Sequence, residues 1–352
     1  MITGGHKERP DANSAQPTRA RESELQPAST AAARTPATQD REPAPAALFT
    51  GLLSPADKIV IAYIGLIAAV IAVLHKQVPG WPALLVGHAL ACSIVVVIAL
   101  VSRSARISRL RPGALIRGWY PVALIPMTYK ELGYLIPLVH PHDLDWELAA
   151  LDLRLFGVYP SIWLERFLWP PLTEVLQLCY LTYYILPIAL GAVLWRKGWF
   201  DKFFFFVFTL ALGFYLSYIG YILVPAIGPR FILAGQQTRP LVGVFLFEPI
   251  RAMLDRAEGI TRDCFPSGHT QVTLTVLYYA RRFHRRTFWW LLGPGSGLII
   301  STVYLRYHYV VDLLAGALLA AFVVAVAEPL YRALGGKLRP EGRGQKAAGS
   351  RQ

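Results

Sequence analysis

The chain has 352 residues, 54% hydrophobic and only 16% charged, with a mean hydropathy of +0.41. Ordinary soluble domains carry about a quarter charged residues, so this composition argues against one. The net charge of +13 lies in short basic clusters between apolar runs, as in loops flanking membrane spans, and this points to lipid and away from nucleic acid.

Residues 1–50 are rich in Ala, Pro, Ser, Thr and Arg without apolar periodicity, which predicts a disordered tail. Seven acids up to Asp57, and no apolar core after the first charges, do not make a secretory signal. Stretches free of acids and bases near the 17–25 residues of a bilayer crossing fall at about 59–75, 82–101, 119–139, 174–195, 203–224, 268–281, 287–305 and 309–331. The third is interrupted by Lys130 and Glu131, and the sixth is short because Ser267, Gly268 and His269 stand at its start. Polar residues at such depth are costly unless they face a cavity or a partner.

Alternate sides differ in basic content. Segments 102–118, 196–202, 281–286 and 332–352 hold 18 Lys and Arg, whereas 75–81, 140–171, 225–268 and 306–308 hold 9. The denser set is expected in the cytoplasm. Eight spans then put both termini inside and the 225–268 and 306–308 segments outside. No repeat of 20–50 residues is visible, so a solenoid is not expected.

Three polar groups punctuate the second half: Gly228-Pro229-Arg230, Pro266-Ser267-Gly268-His269, and Arg306-Tyr307-His308 followed by Asp312. The charge count places all three on the extracytoplasmic side. Pro266 at a helix entry leaves backbone N–H groups unpaired at a positive dipole end, which favours an anion such as phosphate, and Gly268 allows close approach. His269 on the first turn is placed to protonate a leaving group. His308 and Asp312, four apart, share a helix face, so the carboxylate can hold one imidazole nitrogen and free the other as nucleophile. Arg230 and Arg306 would hold phosphoryl oxygens. Taken singly, a histidine near an interface is ordinarily a satisfied polar residue and an arginine at a helix end ordinarily snorkels; the convergence of all of them in a charge-poor chain favours the catalytic reading.

These motifs resemble those of the phosphatidic acid phosphatase type 2 superfamily. Pro266-Ser267-Gly268-His269 is similar to its second motif, Tyr304-Leu305-Arg306-Tyr307-His308-Tyr309-Val310-Val311-Asp312 to its third, and Pro225-Ala226-Ile227-Gly228-Pro229-Arg230 to a reduced first. The resemblance implies an all-α polytopic membrane helix bundle: two extra N-terminal transmembrane helices with a basic loop (51–118), a six-helix catalytic core (119–331) and a basic tail (332–352). It implies a phosphohistidine on His308, Asp312 orienting it, His269 as general acid, and Arg230, Ser267, Gly268 and Arg306 around the phosphate. Two positions depart from the pattern. Thr302 stands where the third motif has an arginine, with Arg306 one helical turn away, and Leu223 stands where the first motif has a lysine, whose contact Lys130 could replace.

Arg306 close before the nucleophile, the short first motif, and Asp152-Leu153-Arg154-Leu155-Phe156-Gly157 with Pro160 resemble the inositol phosphorylceramide synthase-like branch, which implies transfer to a lipid or polyol hydroxyl as an alternative to hydrolysis. A lipid transporter or anion-binding membrane protein is the non-enzymatic rival. The expected enzyme sits in a cell membrane, hydrolyses a lipid phosphate or diphosphate, and needs no cofactor and no metal; its oligomeric state is not readable. Three dispersed cysteines (Cys92, Cys179, Cys264) indicate neither a disulfide framework nor a zinc site. His140-Pro141-His142-Asp143-Leu144-Asp145 offers metal-ligand types but reads better as a polar loop. Gly295-Ser296-Gly297 reads as a packing face, Trp195, Trp199, Trp289 and Trp290 as interfacial anchors, and Phe203 to Phe206 as lipid-facing surface.

Overall fold

The computed structural model describes residues 48–103, 111–258 and 262–339. Most of the expected N-terminal tail, residues 104–110 of the basic loop and the C-terminal tail from residue 340 lie outside the described residues.

Helix α1 (Pro55–Val73) opens on a capping box in which Ser54 and Asp57 satisfy each other's backbone N–H, with Pro55 in the first turn. It is followed by α2 (Trp81–Arg103) and α3 (Arg111–Val139), the latter carrying three internal prolines. The amphipathic α4 (Asp145–Phe156) stops at Gly157, whose left-handed backbone (φ 71°) ends the helix. Next, α5 (Pro170–Leu181) runs through a 3-10 turn, Thr182–Tyr184, into α6 (Ile185–Arg196). Besides the single turns Pro160–Trp163 and Pro229–Ile232, the longer helices that follow are α7 (Phe200–Leu223), α8 (Phe247–Glu258), α9 (Gly268–Phe283), α10 (Arg285–Tyr304) and α11 (Val310–Ala333). Among the described residues no strand is formed beyond an isolated bridge between Phe49 and Gly336.

Six segments are long and apolar enough to cross a membrane: Pro55–Val73, Trp81–Ser102, Leu115–Val139, Pro170–Arg196, Phe200–Leu223 and Val310–Ala333. The chain is a multi-pass, all-helical membrane protein. The other two expected spans, 268–281 and 287–305, are helices but do not qualify by length and composition. At 16 residues, α9 is about 24 Å long, short of the ~30 Å hydrocarbon core. In α10 the start Arg285-Arg286 and the run Gly293-Pro294-Gly295-Ser296-Gly297 reduce the apolar content. Both are packed among the six: α9 lies against α7, α10 and α11, and α10 against α5 and α9.

At the centre stands α7, contacted by α1, α3, α6, α9 and α11. Phe203 to Phe206 and Phe208 are all buried, which corrects the expectation of a lipid-facing run. Consecutive aromatic residues project all round a helix, and a helix apolar all round belongs inside. Gly295 and Gly297 do act as a packing face: a Cβ on either would press on Leu277 and Thr273 of α9 or on Cys179 of α5. The N-terminal helices are joined to the core by buried Asp57, which accepts hydrogen bonds from Arg117 and Tyr120 of α3.

Candidate active site

The C-terminal ends of α7 and α10 and the N-terminal ends of α9 and α11 meet at one end of the bundle, which gathers the three polar motifs. Backbone hydrogen bonds stitch them together: Ser267 N–H donates to Asp312 O (3.0 Å), Arg230 N–H to Arg306 O (2.9 Å), and Cys264 N–H to Ala226 O (3.2 Å). Gly228 permits the closest approach. Its φ is 94° and a Cβ there would lie 2.6 Å from the Tyr307 carbonyl oxygen, so no other residue fits without displacing the loop.

His308 sits between the end of α10 and the start of α11, buried, its own N–H bonded to Thr302 O (3.0 Å). Its Nδ1 faces Asp312 Oδ2 at 3.3 Å and its Nε2 faces His269 Nδ1 at 3.2 Å. The carboxylate can only accept, so it selects the Nδ1–H tautomer of His308 and leaves the Nε2 lone pair toward His269. Asp312 Oδ2 also accepts from Tyr309 N–H (2.8 Å) and the Cys264 thiol (2.9 Å). His269, on the first turn of α9, lies between the rings of Tyr180 and Tyr183, with centroids 4.7 and 4.3 Å away.

Ser267 is the buried N-cap of α9 and accepts from Thr270 N–H (3.2 Å). Gly268 follows it at the helix start, under the Tyr221 hydroxyl, which a Cβ would meet at 2.4 Å. Arg230 is half-buried and pairs through both Nη atoms with Asp255 of α8 at 2.9 Å, while its guanidinium lies 6.0 Å from the Tyr307 ring centre. The pair holds Asp255 below the usual carboxylate range and raises Arg230.

The structure does not bring Arg306 and Lys130 to the histidines. Because α10 ends at Tyr304, Arg306 does not continue the helix from Thr302. It adopts φ 66° and donates to Gln237 Oε1 (2.8 Å), Glu165 Oε1 (2.9 Å) and Arg239 O (2.6 Å). A left-handed non-glycine residue costs about 1–2 kcal/mol, which this buried, charge-assisted set offsets. Lys130 is exposed, and its neighbour Glu131 pairs with His88 of α2 at 3.2 Å. It is Tyr129, one residue earlier, that reaches the site end, donating to Asp263.

Sequence reasoning missed the carboxylates that hold these loops. Asp145 accepts from Ile227 N–H (2.9 Å), Gly228 N–H (2.8 Å) and the Tyr309 hydroxyl (2.9 Å). Asp152 accepts from Val310 and Val311 N–H, both at 2.9 Å, and so caps α11 from another helix. Burial raises both acids, Asp152 to about 6. The sequence offers Asp145 only within the polar 140–145 loop and Asp152 only within the 152–157 stretch, and their spacing of seven puts both on one face of α4. Burial also raises Asp263, and pushes the Cys264 thiol well up with Asp312 adding to the effect.

Among the described residues, one group could offer three metal-ligating atoms within 4.8 Å: Cys264, His308 and Asp312. In the structure the Cys264 thiol and the Asp312 carboxylate are engaged with each other, Sγ to Oδ2 at 2.9 Å. The 140–145 loop is engaged differently: His140 bonds the His142 carbonyl (2.9 Å), Asp143 pairs with Arg262, and Asp145 is used as above.

A family model described as the PAP2 superfamily matches residues 146–326, just over half of the chain. Searches of curated proteins and of solved structures each returned no significant match.

Proposed function

The chain belongs to the PAP2 superfamily, and from that premise we propose that it hydrolyses a lipid phosphate or diphosphate through a phosphohistidine on His308, at the extracytoplasmic face. The observation that carries this reading is the relay Asp312–His308–His269, set at the starts of two helices within a membrane bundle.

In the first step the His308 Nε2 lone pair attacks phosphorus and the bond to the leaving oxygen breaks, while His269, entering as the imidazolium that the negative charge of the bound substrate favours, gives its Nδ1 proton to that oxygen and becomes neutral. Asp312 holds the Nδ1–H of the resulting phosphoimidazolium. In the second step water loses a proton to His269 and its oxygen displaces His308 nitrogen from phosphorus, releasing phosphate and restoring both rings. The 3.2 Å contact between the imidazoles is too short to admit a phosphoryl group, which needs about 3–3.5 Å from nucleophile to phosphorus and a further hydrogen bond on the leaving side. Binding therefore parts the two rings. Phosphoryl oxygens are received at the start of α9, where the helix dipole is positive and the Ser267 hydroxyl can donate beside the small Gly268, and by Arg230, which exchanges Asp255 for the substrate.

The test is brief exposure of purified protein to radiolabelled phosphatidic acid and isoprenyl diphosphate with excess chelator. Expected are a protein-bound label stable in base and lost in acid, and release of phosphate that falls by about three orders of magnitude or more in His308→Ala. Undiminished release by the variant overturns the reading. Label passing to an added lipid or polyol hydroxyl with no free phosphate replaces hydrolysis with transfer, which uses the same phosphoenzyme.

A further inference from the structure

We infer that an apolar cavity beside His269 binds one hydrocarbon chain of the substrate, and that Trp119 is the floor setting its length. The inference rests on the proposed function only in taking the substrate to be a lipid phosphate.

The cavity, about 460 Å3, lies between α3, α7 and the segment from the 3-10 turn into α6, and His269 is part of its wall. Along α3 it is lined by Trp119, Val122, Pro126 and Tyr129, a helical stripe. The ten helical steps from Trp119 to Tyr129 span about 15 Å, half the hydrocarbon thickness of a bilayer and thus one leaflet.

The acid and the imidazole stand at one end, while Tyr183, Tyr184, Tyr218 and Tyr221 add hydroxyls to the lining, that of Tyr218 donating to the Ile125 carbonyl. His269, Asp263 and the Tyr129 hydroxyl that donates to Asp263 stand at the level of the catalytic relay, and the remaining wall is aliphatic and aromatic. At the other end α3 and α6 close on each other: a Cβ on Gly191 would lie 2.8 Å from the Trp119 ring, and that ring sits 5.2 Å from Phe203. Between these ends α3 and α6 both pack on α7 and leave a lateral mouth. The lining residues Ala123, Pro126, Tyr184 and Ile188 are exposed there, whereas Leu210 and Tyr218 on the α7 side are buried. A chain in the surrounding leaflet can therefore slide in sideways with its phosphate already at the relay.

Polar at the catalytic end, mainly apolar below, one leaflet deep and closed by an indole, the cavity fits a single chain of about twelve carbons, taking roughly 1.25 Å per extended methylene. Burial of each methylene contributes to binding until the floor is reached, so affinity is expected to rise with length and then stop rising.

The experiment measures phosphate release from octyl, decyl, dodecyl, tetradecyl and hexadecyl phosphate in detergent. In the unaltered chain kcat/KM is expected to climb to about the dodecyl compound and then level or fall. Val122→Phe, one turn above the floor, should lower the tetradecyl-to-octyl ratio about tenfold or more; Trp119→Ala should raise that ratio. An unchanged ratio in both variants overturns the inference and leaves the cavity to bystander lipid. A second readout needs no turnover: dodecyl phosphate carrying a diazirine on its terminal carbon is irradiated with the His308→Ala protein. Crosslinks at Trp119 or around Gly191 support the site even if no phosphate is released by any form, which separates failure of the catalytic reading from failure of this one. Crosslinks confined to other segments overturn it.

Discussion

Cys264 is the closest neighbour of the relay that the mechanism does not use. Its thiol donates to the same Asp312 oxygen that faces His308, and burial next to that carboxylate holds the proton on sulfur. Two consequences are expected. Iodoacetamide at pH 8 should modify Cys264 in denaturing detergent but not in the native protein, as peptide mapping would show. Cys264→Ser, which keeps a donor, should retain phosphate release within a few-fold, whereas Cys264→Asp sets a second buried carboxylate against Asp312 and should abolish it, because two such groups in contact cannot both ionise. Release by Cys264→Asp at the level of Cys264→Ser would refute this account. The contrast with His308 and Asp312 shows what was readable. A spacing of four announces its own contact, whereas Cys264 and Asp312 are 48 positions apart and nothing local links them.

Among the elements, α4 does the positioning. Asp145 and Asp152 lie two turns apart on one face; the first holds the 227–228 loop and Tyr309, the second the start of α11. Together they set the backbone on either side of His308. The sequence placed ligand types at Asp145 and a branch-like stretch from Asp152, yet these carboxylates accept from backbone N–H groups up to 159 residues away, which no periodicity encodes. The consequence is a pH dependence. Burial raises Asp152 from 3.8 to about 6, so between those values the folded protein holds a proton that the unfolded chain has lost. Stability from this group is then fully present below about pH 4 and is lost as pH rises through 6. Thermal unfolding in detergent should show Tm falling over that window in the unaltered chain. In Asp152→Asn that component should be absent; the same slope in both would remove Asp152 as its source.

For the molecule as a whole, hydropathy made the bundle legible, while the interior of the bundle was not. Lipid and protein interior look alike to a hydropathy count, so Phe203 to Phe206 read as outward-facing and are buried. Conversely Arg117 counted as a basic loop residue and is buried in α3 against Asp57. Even so, the excess of 18 basic residues over 9 does not turn on one arginine, and the proposed extracytoplasmic relay still follows from it as an expectation. The helices give this a direct readout, because α9 runs from the relay end at Gly268 to the opposite end at Phe283. Phe245, 83% exposed in the loop before α8, lies on the relay side, and exposed Arg286 lies in the first turn of α10 on the other. In intact cells a membrane-impermeant maleimide should label Phe245→Cys above the parent chain and leave Arg286→Cys at parent level until the membrane is permeabilised. The reverse pattern would put the relay in the cytoplasm, and the substrate would then have to be drawn from the inner leaflet.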